Sequence, residues 1–65
     1  MQITVNGTTH DLSATTLADA LKELGYGDAR VATALNEAFI PAPSRATTEL
    51  TQGDRLEVVA PMQGG

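Results

Sequence analysis

In the first twelve residues, MQITVNGTTHDL, polarity alternates up to Asn6-Gly7, and Thr8 to Leu12 returns as a second strand. Met1, Ile3 and Val5 interleave with Gln2, Thr4 and Asn6, the pattern of a half-buried strand. Asn-Gly is a strong hairpin signal, because a type I′ turn needs positive φ at both central residues. A two-residue turn places Val5 opposite Thr8, Ile3 opposite His10 and Met1 opposite Leu12. The chain is thus committed to an antiparallel pair with one apolar face that must be covered. His10 shares that face and reads as a packed or edge-strand histidine. A catalytic base needs a second polar partner, and none is evident for it.

The cover comes next, in SATTLADALKELG. Leu17, Leu21 and Leu24 recur at i, i+4 and i+7 with Ala18 and Ala20 beside them, which makes one apolar helix stripe. Thr15 or Thr16 caps its start, and a Thr16 cap puts Asp19 at the third helical position. Gly25 supplies the left-handed residue that ends it. Lys22 and Glu23 lie off the stripe and are expected to face water. VATALN then reads as a strand, with Val31, Thr33 and Leu35 on one face and Ala32 and Ala34 on the other. Asn36-Glu37 is a tight turn into a short strand, Ala38-Phe39-Ile40, which Pro41 and Pro43 end. Phe39 suits either the core or a docking surface, and the core is favoured. SRATTEL is read as an irregular crossing anchored by Leu50. QGD is a turn, and RLEVV is the last strand, with Leu56 and Val58 inward and Arg55, Glu57 and Val59 outward. The order predicts an α+β fold: a mixed four- to five-stranded sheet with one helix packed on one face, the β-grasp layout.

Size and composition limit what such a fold can do. A chain of 65 residues is one domain, and it buries only about 60% of its unfolded surface. It has no cysteine and a single histidine, so neither a disulfide framework nor a plausible zinc site supports it. Its stability must come from a compact apolar core. The formal charge of −4, from eight acidic and four basic residues, argues against nucleic acid and suits a partner with a basic docking surface. No run is long and apolar enough to span a membrane, and MQITVNG does not resemble a secretory signal. A cytoplasmic location is expected. Ser13 and Ser44 lack a nucleophile-elbow context, and no phosphate loop or metal-ligand spacing is present. A chain this small is also expected to lack a pocket of several hundred Å³. It reads as a protein co-substrate, not an enzyme.

That leaves the last residues, Ala60-Pro61-Met62-Gln63-Gly64-Gly65. The single domain 1–65 is predicted to carry a flexible arm over 60–65, since Pro61 stops further pairing and the last strand leads directly into it. Six extended residues reach roughly 20 Å, enough to enter another protein's active site. Gly64 and Gly65 have no Cβ, so they pass a narrow channel and leave the carbonyl accessible. A carboxylate resists nucleophiles until it carries a leaving group. Adenylation by ATP provides one, and a sulfur donor displacing AMP leaves a thiocarboxylate.

From MQITVNG through ALNEAFIP to LTQGDRLEVVAPMQGG, and above all in the final PMQGG, the chain resembles the ThiS family of sulfur carriers in thiamine biosynthesis. The resemblance spans the whole length. It implies a ubiquitin-like β-grasp fold and a cycle. An E1-like adenylating enzyme uses MgATP to activate the carboxylate of Gly65. Sulfur from a cysteine desulfurase relay makes the thiocarboxylate, and thiazole synthase uses that sulfur to build the thiazole. No cofactor is implied on the carrier itself, which is expected to be a monomer when free. Gly64, Gln63, Met62 and Pro61 match the family's arm, and Val59 is expected beside it as an outward apolar docking residue. Glu37 departs from the pattern, since family members often carry glycine there. Two related readings use the same activated carboxylate: a carrier for another pathway, like the small subunit of molybdopterin synthase, and a ubiquitin-like protein modifier.

Overall fold

A computed structural model describes residues 1–27 and 29–60. The chain runs through β1 (Gln2–Val5), β2 (Thr8–Asp11), α1 (Leu17–Glu23), β3 (Ala32–Leu35), β4 (Ala38–Ile40), a 3-10 helix (Ala42–Thr47) and β5 (Arg55–Val59). The five strands form one sheet in the order β2-β1-β5-β3-β4. β5 lies parallel to β1 and antiparallel to β3. The last strand therefore occupies the middle of the sheet, and both hairpins are joined through it.

The first hairpin has the register its turn dictates, with Val5 opposite Thr8 and Ile3 opposite His10. Leu12 N–H donates to Met1 O at 2.7 Å, which extends the pairing by one step. Thr16 caps α1, its hydroxyl accepting from Asp19 N–H at 3.2 Å. Gly25 follows the helix with φ +95°, a conformation that costs a residue without Cβ little. Leu17, Ala20 and Leu21 are buried against the sheet residues Ile3, Val5, Leu56 and Val58, and Leu12 and Leu50 complete the core. Leu50 thus anchors the crossing segment as expected.

Two local readings change. The segment after Pro41 is not irregular but a 3-10 helix. Pro41 ends β4 and presents its carbonyl to Ser44 N–H at 2.9 Å, and the hydroxyls of Thr47 and Thr48 both donate back to Ser44 O. These local bonds wind a short, tight helix that i+3 bonding can sustain only briefly. Its exit is then stapled to the start of α1, where Leu17 N–H donates to Thr48 O and Leu50 N–H to Thr15 O, each at 2.8 Å. Glu23, for its part, does more than face water. Its carboxylate accepts from Ser13 N–H and Ala14 N–H at 2.9 to 3.1 Å. It thereby satisfies two loop donors that no strand or helix serves.

Asp54 closes the turn that launches β5. It accepts from Thr51 N–H at 2.7 Å, from Thr51 Oγ1 at 3.0 Å and from Asn36 Nδ2 at 3.0 Å. Burial pushes its carboxyl up, but these hydrogen bonds outweigh burial and hold it below the ordinary 3.8. A depressed folded value stabilises the protein above the unfolded value, and that contribution is lost as pH falls through the lower folded value. Asp54→Ala should cost about 1–3 kcal/mol at neutral pH by orphaning three donors. The gap in melting temperature between wild type and variant should shrink below about pH 4. Circular dichroism melts across that range check this, and a gap independent of pH would refute it.

Candidate functional site

β5 alternates strictly. Leu56 and Val58 enter the core while Arg55, Glu57 and Val59 point to the open face of the sheet. Pairing puts Ala32 opposite Val59 and Ala34 opposite Glu57. On the far side of β3, Ala34 also faces Phe39. The open face thus carries two large apolar side chains, Phe39 at 69% and Val59 at 61% exposure, with small alanines between them. Opposite residues on neighbouring strands stand about 5 Å apart, and diagonal ones about 7–8 Å. Both side chains are therefore within reach of one docking partner. Isolated exposed apolar residues need no explanation, but two large ones on the same uncovered sheet face, on strands either side of β3, make that face a candidate docking surface. Arg55 and Glu37 sit beside them, 3.9 Å apart and both well exposed, a pair of little energetic weight.

Val59 lies where the sequence places it. Phe39 does not: it stands on the solvent face and contributes nothing to the core. A signal for this was present. The Asn36-Glu37 turn, with φ +50° and +73°, pairs Leu35 with Ala38 and therefore Ala34 with Phe39. Ala34 had already been assigned the face opposite Thr33. Pro61, Met62, Gln63, Gly64 and Gly65 lie outside the described residues.

A surface cavity of about 550 Å³ opens beside the end of β5, lined by Val59, Ala60, Val31, Ala32, Arg30 and Arg45 among others. Its size corrects the expectation that so small a chain would lack one. Arg45 is fixed in its wall, Nε donating to Thr33 Oγ1 at 3.1 Å and Nη2 to Val31 O at 2.6 Å. The cavity's lining offers apolar contact and guanidinium donors but no nucleophile or general base. His10 lies in β2, Ser13 in the loop after it and Ser44 in the 3-10 helix, and among the described residues no hydrogen bond joins them. Among the described residues, too, no group of three or more His, Cys, Asp or Glu side chains could hold a metal. Among the described residues, no helix is long and apolar enough to cross a membrane.

Two asparagines were read only as turn formers and prove to be fasteners of β5. Asn36 Oδ1 accepts from Arg55 N–H at 2.9 Å at the start of the strand. Asn6 accepts from Val58 N–H at 2.9 Å and donates to Val58 O at 3.0 Å near its end. Nothing in local periodicity announces a bond across 52 positions.

The architecture has close counterparts. A crystal structure of the thiamine biosynthesis protein ThiS from Geobacter metallireducens superposes with a TM-score of 0.84 at 26% identity, over 100% of both chains. A solution structure of a thiamine biosynthesis protein from the same organism gives 0.78 at 25% identity, covering 100% of this chain and 88% of that one. A thiazole synthase of Paramagnetospirillum magneticum is 36% identical over 66 residues, spanning 100% of this chain and 20% of that protein. The sequence pattern of the ThiS family matches residues 3–65. With the sheet order, the central last strand and the match over nearly the whole length in agreement, the chain belongs to the ThiS family.

Proposed function

We propose that this chain is a sulfur carrier in thiamine biosynthesis, supplying the sulfur of the thiazole moiety through the carboxylate of Gly65. The family match over residues 3–65 carries this reading. An oxygen of the Gly65 carboxylate attacks the α-phosphorus of MgATP on an E1-like adenylating enzyme, and pyrophosphate leaves. Sulfur from a desulfurase-derived donor then attacks the acyl carbon. A C–S bond forms and the C–O bond to AMP breaks. With a persulfide donor the product is an acyl disulfide, whose S–S bond a second thiol then reduces, leaving the thiocarboxylate and a donor disulfide. On thiazole synthase the thiocarboxylate sulfur attacks an electrophilic carbon of the substrate, the C–S bond to Gly65 breaks, and an oxygen from water or from the substrate restores the carboxylate. The chain acts throughout as co-substrate and not as catalyst, and the nucleotide belongs to the partner. The Paramagnetospirillum relative supports thiazole synthase as a partner, since a protein of that name contains a region similar to this whole chain.

The open face with Phe39 and Val59 serves as the docking surface that brings the carboxyl terminus to those enzymes. Reconstitution with the adenylating enzyme, ATP and a sulfur source should yield a product that a thiol-selective alkylator captures, with sulfur replacing one oxygen by intact mass. Mass alone is insufficient, because oxidation of Met1 or Met62 gives a nearly equal gain. No alkylatable product would sink the proposal. In thermal melts Phe39→Asp should cost no more than about 1 kcal/mol, since the side chain is exposed and only strand preference opposes the change. It should weaken partner binding about ten- to a hundredfold, as loss of an apolar anchor does. Unchanged affinity would remove Phe39 from the docking surface.

A further inference from the structure

Asn6 stands where the chain turns out of β1, with φ +50°. Main-chain pairing between β1 and β5 ends at Val5 and Leu56, and Asn6 N–H reaches back to Leu56 O at 3.0 Å. Past this point the backbone leaves for β2 and cannot continue the ladder. The Asn6 side chain continues it instead. Its Oδ1 accepts from Val58 N–H at 2.9 Å and its Nδ2 donates to Val58 O at 3.0 Å. A primary amide offers the same donor and acceptor as a peptide group, so Asn6 stands in for the strand residue that the turn carries away. Val58 is only 6% exposed, so water is a poor substitute partner for its backbone groups. On the other side β3 holds this end of the strand, with Thr33 opposite Val58 and Ala32 opposite Val59.

We infer that Asn6 is a positioning residue for acyl transfer. By fixing the end of β5, it sets the origin from which the carboxyl-terminal residues are presented to a partner's active site. The inference rests on the carrier reading above. Slack at that origin spreads the positions open to the terminal carboxyl, and transfer depends on near-attack geometry at the reacting atoms.

Asn6→Gly tests this. Glycine tolerates the positive φ of the turn and removes the amide, at the cost of some added backbone freedom that the Asn6→Asp variant does not share. Amide hydrogen exchange should accelerate roughly tenfold more at Val58 and Val59 than at Ile3 and Leu21, whose protection falls only by the global loss of stability. With the adenylating enzyme, kcat for thiocarboxylate formation should fall about tenfold while the affinity for that enzyme changes less than about threefold. Asn6→Asp, which keeps the acceptor and loses the donor, should fall between wild type and Asn6→Gly. Exchange at Val58 in Asn6→Gly that rises no more than at Ile3 would overturn the fastening role. Faster exchange with unchanged kcat would overturn the positioning role and leave Asn6 purely structural. A wild-type chain that forms no thiocarboxylate would instead overturn the carrier reading on which the inference rests.

Discussion

Leu17→Ala should leave a chain that is largely unfolded at 37 °C. Leu17 is 0% exposed at the first turn of α1 and packs within the single core shared with Ile3, Leu21 and Leu56. Truncating a buried leucine costs about 2–5 kcal/mol, with the larger values where the surroundings cannot collapse into the gap. Collapse is hard here. The backbone of Leu17 is pinned by its N–H to Thr48 O at 2.8 Å, and the Thr16 cap fixes the turn before it. A core in this size range rarely supplies more than about 3–5 kcal/mol in total. The loss is therefore comparable to the whole. Each kcal/mol moves the melting temperature of such a domain by about 4–8 °C, so a drop on the order of 10–30 °C is expected in a thermal melt. Val59→Ala, on the open face, should shift it hardly at all. A Leu17→Ala protein that melts within a few degrees of wild type would mean the core is not the source of stability.

The contrast between those two residues shows which information is local. Strand parity carried Leu56, Val58 and Val59 to their proper faces, because a period of two leaves no freedom once one residue is placed. The helix stripe and its Thr16 cap were equally legible, as was the turn that makes Asn6-Gly7 a hairpin. What could not be read was mostly long-range or compensatory. Glu23 satisfies loop donors nine and ten residues away, and no spacing rule predicts that. Arg45 reaches from the 3-10 helix to the edge of β3, although nothing in SRATTEL points to that partner. Asn6 and Asn36 have the residue type that a positive φ requires. That requirement concealed their second use as side-chain partners of β5. Phe39 was different: its exposure followed from the turn and the alanine face, but its hydrophobicity argued for burial and outweighed the register. A large apolar side chain on a two-layer fold has a free face available, and burial is not its only outcome.

Deletion of Gly65 should abolish thiocarboxylate formation while leaving the fold as stable as wild type. Both halves of this expectation have physical grounds. Among the described residues the buried core lies between Ile3 and Val58, and Gly65 has no side chain to bury, so the melting temperature should hold within a few degrees. For the chemistry, removing one residue withdraws the terminal carboxyl by about 3.3 Å if the arm is extended. A misplacement of even 1 Å at a reacting centre can cost on the order of a hundredfold. The truncated chain still ends in a glycine carboxylate, Gly64, with the same intrinsic reactivity, so lost transfer would report reach and not functional-group chemistry. Its docking face is untouched, and it should bind the adenylating enzyme with wild-type affinity and inhibit the full-length chain by competition. Full transfer by the truncated chain would show that the partner does not measure the arm. Lost transfer together with a melting temperature lowered by ten degrees or more would show that the last residue belongs to the fold, and would remove the case for Gly65 as the site of modification.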